Sequence, residues 1–170
     1  IKDRDITDKI LEVYQSVFNA RKDAASSMDH ILKMMSDVVV QAQDGSNTEE
    51  LLMVLKLYSE FLIIAEKFEQ GCEILERYHT IYNGSSCAKS FQMEQQRVVC
   101  LYFLASVLFS LKEFDKSIEV FEHTVDSATN LLGEYHPDIM FFLHVYASVY
   151  EVQAMYSHSA RIQDLLTGKI

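Results

Sequence analysis

Apolar residues recur along this chain at helical spacing, and the recurring block itself returns. Residues 5–20 carry Ile6, Ile10, Leu11, Val13, Tyr14 and Val17-Phe18 on one helix face. Residues 23–41 repeat the pattern with Ala24, Ala25, Met28, Ile31-Leu32, Met35 and Val38–Val40. Gln43-Asp44-Gly45-Ser46-Asn47 reads as a loop, and Ser46-x-x-Glu49 as a capping box that opens the next helix. Residues 48–65 and 68–82 then form a helical pair. Asn83-Gly84-Ser85-Ser86 interrupts the pattern, and 88–111 pairs with 114–132. Gly133 suits a helix C-terminus, where a positive φ is wanted. Pro137 suits the first position of a following helix, with Asp138 near the positive end of its dipole. Residues 137–153 and 156–167 complete eight helices in four hairpins.

The hairpins align. Leu101-x-x-Leu104-Ala105-x-x-Leu108 leads into Lys112-Glu113-Phe114-Asp115-Lys116-Ser117 and Phe121. Upstream, Leu55, Tyr58-Ser59 and Leu62 lead into Phe68, Gly71 and Leu75. Downstream, Leu143, Tyr146-Ala147 and Tyr150 lead into Tyr156, Ser159 and Ile162. Phe68 and Phe114 stand 46 residues apart, and Phe114 and Tyr156 stand 42 apart. Each first helix offers a small residue (Ser59, Ala105, Ala147), and each second helix offers another (Gly71, Ser117, Ser159). Two helices approach closely where small side chains meet, and the large neighbours fill the groove around them. The aromatic that opens the second helix plugs the turn end. Hairpin 5–43 lacks that aromatic, as a degenerate end unit facing water would.

Composition supports long helices. One proline, five glycines and no tryptophan stand among 170 residues, and about half are hydrophobic, against disorder. The net charge of −10 argues against nucleic acid or an anionic membrane as partner, and favours basic or neutral ones. Cys72, Cys87 and Cys100 make no disulfide framework, so a reducing, cytoplasmic setting is expected. No apolar run reaches about 18 uncharged residues, so no membrane span is expected. The chain begins at Ile1 without Met and reads as a piece of a longer protein.

This spacing resembles tetratricopeptide repeats, over about 48–167 reasonably and over 5–43 poorly. The period exceeds the usual 34 residues of that repeat. Leu131-Leu132-Gly133-Glu134-Tyr135-His136-Pro137-Asp138 carries a Leu-Gly-x-x-His-Pro turn similar to those of kinesin light chains. One good copy is present, and residues 87–97 hold no second. The C-terminal lobes of SET-MYND methyltransferases carry similar hairpins. The resemblance implies an all-α fold: a right-handed superhelical stack of antiparallel hairpins in a single domain over 1–170. Its units are the degenerate hairpin 5–43 and the repeats 48–83, 88–132 and 137–167.

In such folds the first helices line a groove. Carried over, the lining is Lys56, Glu60 and Ile63, then Tyr102, Ser106 and Phe109, then His144, Ser148 and Glu151. Such a surface suits an extended or helical peptide with apolar anchors and a basic residue. Tyr102 and Phe109 have a second reading, as packing against the neighbouring repeat. Chaperone-tail clamping is not expected, because Lys56 alone has the right charge and Glu60 and Ser106 replace amides.

The expected function is an interaction module: an adaptor or scaffold, with the kinesin-light-chain likeness adding a cytoskeletal setting. The alternatives are an assembly domain, self-associating through Ile162, Leu165 and Leu166 of its last helix, or an accessory lobe of a larger enzyme. No catalytic, cofactor or metal site is expected. His79, His123, His136, His144 and His158 lack HExxH or paired-Cys spacing, and no phosphate loop or GxSxG elbow occurs. His136 reads as a helix cap or packing residue.

Overall fold

The computed structural model describes residues 8–13, 15, 26–45, 47–86 and 88–168. Among them the only regular elements are helices. Residues 8–13 and 15 are helical; the remainder of the expected 5–20 helix lies outside the described residues. The further helices are α1 (Ser26–Gly45), α2 (Thr48–Ile64), α3 (Phe68–Gly84), α4 (Phe91–Ser110), α5 (Phe114–Leu132) and α6 (Pro137–Leu166). The chain divides into two compact units, residues 1–88 and 89–170.

In the first unit α1 packs on α2, and α2 on α3. α1 buries Ile31, Met35, Val38 and Ala42, a stripe at helical spacing. It runs through Gly45, longer than the sequence pattern gives. The cap of α2 is Asn47, whose side chain accepts from the Glu50 N–H at 2.9 Å; Ser46, expected there, lies outside the described residues. Asn serves this role as well as Ser does. α3 buries Gly71, Leu75, Tyr78 and Tyr82, with the two tyrosine rings stacked at 6.2 Å.

In the second unit α4 packs on α5, and α5 on α6. Ser90 caps α4, accepting from the Met93 N–H at 3.1 Å. Ala105, Phe121 and Val149 form one core cluster, and Val98, Ala128 and Ile139 form another. Gly133 ends α5 with φ 90°, and Pro137 opens α6. The His136 ring nitrogen Nδ1 accepts from the Asp138 N–H at 3.2 Å, so this histidine is a helix cap.

The two complete hairpins share one turn. In the first, the Glu66 N–H donates to the Ile63 carbonyl and the Lys67 N–H to the Leu62 carbonyl. Forty-six residues on, the Lys112 N–H donates to the Phe109 carbonyl and the Glu113 N–H to the Leu108 carbonyl. Glu66 (φ 58°) and Lys112 (φ 62°) both take the left-handed conformation. This is a Schellman ending, in which backbone donors of the turn satisfy the last carbonyls of the helix.

The third hairpin does not form. Residues 137–153 and 156–167, expected as a pair, lie in the single 30-residue helix α6, so the structure has one helix where two were expected. Position by position, the reason is visible. The second helix of each complete hairpin is anchored by a fully buried residue, Leu75 in α3 and Phe121 in α5. The corresponding residue in the third is Gln163. Burying Leu or Phe contributes about 1.5–3 kcal/mol. A polar Gln offers no such gain to offset the helical hydrogen bonds a turn would break.

Candidate functional site

The nine residues expected to line a groove fall into two sets. In the first unit, the Lys56 ammonium pairs with the Glu60 carboxylate at 2.6 Å along α2, and both are part-buried. Ile63 faces α3: a Cβ added at Gly71 would lie 3.6 Å from its Cγ1. These three therefore satisfy one another or the partner helix.

In the second unit, Tyr102 and Phe109 pack internally. The Tyr102 ring lies within 6.2 Å of Phe103, Phe121, Phe141 and Phe142. Phe109 meets Phe114 at 5.4 Å, and Phe114 meets Tyr156 at 5.4 Å. Two runs of rings thus tie α6 to the α4–α5 hairpin. Both aromatics border the Ala105–Phe121–Val149 core and are part-buried there. The Ser106 hydroxyl donates to the Tyr102 carbonyl of its own helix at 2.8 Å. His144, Ser148 and Glu151 are exposed on α6, and the Ser148 hydroxyl donates to the His144 carbonyl at 3.0 Å.

The surface that stands out lies on α6 itself. Ten of the sixteen exposed large apolar side chains among the described residues belong to this helix. Its inner face is occupied by Ile139, Phe142, Val145, Tyr146 and Val149. Burial holds the Tyr146 phenol above its ordinary pKa, and the Glu122 carboxylate and Tyr150 push the same way. The rest of the helix is open. Leu143 is 41% exposed and Tyr150 is 55% exposed, with Ala147 open between them. The corresponding residues of α4 are Leu101 (6%), Ala105 (0%) and Leu108 (5%), and those of α2 are Leu55, Ser59 and Leu62, all 0%.

A cavity of about 420 Å³ lies farther along, between the α4–α5 turn and the second half of α6. Phe114, Asp115, Gln153 and Tyr156 are among its walls, and the Gln153 amide donates to the Asp115 carboxylate at 3.2 Å. Among the described residues, no three His, Cys, Asp or Glu side chains converge as metal ligands would. No helix among them is long and apolar enough to cross a membrane.

No family model matches the chain, and no curated protein matches it. Among solved structures it is similar to the crystal structure of BtubC (BKLC) from P. vanneervenii, a kinesin light chain-like protein. The TM-score is 0.60 at 13% identity, over 93% of this chain and 67% of that one. The fold is a tetratricopeptide-like helical repeat. Within this tetratricopeptide-like frame, sequence reasoning missed the open face of α6. The signal was present in Gln163, a polar residue where each preceding repeat places its anchor.

Proposed function

We propose that this chain is a protein-interaction module, an adaptor or scaffold with no catalytic role, working in a reducing, cytoplasmic setting. The observation that carries the reading is the open apolar stripe of Met140, Leu143, Ala147 and Tyr150 on α6. A helix that buries its inner face and still exposes this much apolar side chain has surface left for a partner. The kinesin-light-chain-like turn at 131–138 and the likeness to BtubC favour a repeat protein whose business is docking. The net charge of −10 favours a basic or neutral partner over nucleic acid.

The test is affinity purification with the wild-type chain, with Leu143→Arg/Tyr150→Arg, and with Lys33→Glu, an exposed position of the first unit, as a control. A partner retained by wild type and control, and lost by the double variant, supports the reading. Identical partner sets from all three contradict it. Self-association through Ile162, Leu165 and Leu166 is a second reading, favoured by their exposure at the end of α6. Sedimentation of a clean monomer at high concentration counts against it.

A further inference from the structure

The internal repeats state what covers a surface of this kind. In the first unit, Leu55, Ser59 and Leu62 are fully buried, and Gly71 of the packed α3 lies against Leu62. In the second, α5 crosses α4 at Ala105, where the Ser117 hydroxyl donates to the Ala105 carbonyl at 2.7 Å. The two covering helices share a pattern. One reads Phe68-x-x-Gly71-x-x-x-Leu75, the other Phe114-x-x-Ser117-x-x-x-Phe121. An aromatic comes first, a small residue three positions on, and a large buried apolar residue four beyond that.

α6 presents the same receiving face, Leu143-x-x-x-Ala147-x-x-Tyr150, with nothing from the described chain upon it. We infer that this face docks an amphipathic α-helix from a partner protein, carrying an aromatic-x-x-Gly/Ser-x-x-x-Leu/Phe pattern, with its small residue over Ala147. The helix completes the third hairpin from outside. This inference rests on the interaction-module reading and specifies its partner.

The charges fix the rest of the chemistry. Glu151 is exposed beside Tyr150, and the chain carries −10 overall, so basic residues on the flanks of the incoming helix are favoured. The same charge opposes a second copy of this chain as occupant, since two such bodies repel. The chain's own residues 156–166 do not serve either: they continue α6, and they place Gln163 where the pattern needs an apolar anchor.

The chain itself supplies the probe. A fluorescent peptide of residues 67–84, with Cys72 replaced by Ser, carries the pattern. A hydrocarbon staple between the exposed positions 69 and 73 holds it helical and removes two acidic charges. Added to the intact chain, it is expected to bind saturably by fluorescence anisotropy. Ala147→Arg should weaken binding at least about tenfold, because a large charged side chain blocks the crossing. Val152→Arg, at an exposed position off the receiving face, should leave it within about twofold. Both positions are exposed, so thermal melts should match wild type and show that the fold is intact.

Absence of saturable binding overturns the inference. So does equal loss in both variants, or no loss with Ala147→Arg. A dimer of the chain alone that Ala147→Arg dissolves also overturns it, in favour of a second copy. Should the peptide fail while Leu143→Arg/Tyr150→Arg still loses a cellular partner, the interaction-module reading stands and only the helix assignment falls.

Discussion

The Ser117 hydroxyl of α5 donates a 2.7 Å hydrogen bond to the carbonyl of Ala105 on α4, and both residues are completely buried. The helices meet here because neither residue brings more than a few atoms to the crossing. Ser117→Ala should cost about 1 kcal/mol, the net worth of one buried hydrogen bond. Ser117→Leu should cost about 3 kcal/mol, because the added atoms must push the helices apart. Urea unfolding checks both. A Leu variant as stable as wild type would show that the crossing is not tightly packed.

Gly71 holds the matching position in α3 and is roomier. A Cβ added there would meet Ile63 Cγ1 at 3.6 Å and Leu62 Cβ at 3.7 Å, ordinary contact distances. Glycine inside a helix costs about 1 kcal/mol relative to alanine. Gly71→Ala should therefore stabilise the protein by about 0.5–1 kcal/mol, read as a rise in thermal midpoint. A fall would mean that the hairpin needs the glycine itself.

The shared turn carries strain that glycine would remove. Lys112 sits at φ 62° and Glu66 at φ 58°, both with a Cβ that this conformation disfavours. Lys112→Gly should stabilise by about 0.5 kcal/mol, the relief being partly offset by a more flexible unfolded chain. Paired equilibrium melts of the variant and wild type measure it.

Tyr102 is part-buried against the Ala105–Phe121–Val149 core. Its ring touches α5 through Phe121 and α6 through Phe141 and Phe142. Tyr102→Ala should cost about 3 kcal/mol, whereas His144→Ala and Glu151→Ala on the exposed side of α6 should each stay within about 0.5 kcal/mol. Chemical denaturation of the three variants separates the two roles.

These residues also show how far the chain could be read without its structure. The α5 boundaries, the Gly133 ending, the Pro137 start and the Ser117–Ala105 crossing follow from local chemistry: punctuation by glycine and proline, and small residues recurring at a fixed offset. The turns at 65–67 and 111–113 contain neither glycine nor proline, so only the repeat exposed them. That same repeat misled at 137–167. Tyr156 and Ser159 matched the earlier pattern, yet an aromatic does not make a turn; the side chain of Ser159 lies outside the described residues. Burial of the anchor decides, and Gln163 cannot be buried as Phe121 is. Register alone places Tyr102 and Phe109 at groove positions, and register does not say which neighbour already covers a ring.

α6 is one unbroken helix whose first half keeps its receiving face open. The most direct measurement is the distance between bio-orthogonal spin labels at positions 140 and 165, by pulsed electron resonance. At 1.5 Å of rise per residue, a continuous helix places them about 38 Å apart. A dominant distance near that value is expected. A dominant distance below about 20 Å would mean that the third hairpin closes on itself, covering Leu143, Ala147 and Tyr150, with helices packed at roughly 8–10 Å between axes. It would contradict the open face and the docking that follows from it.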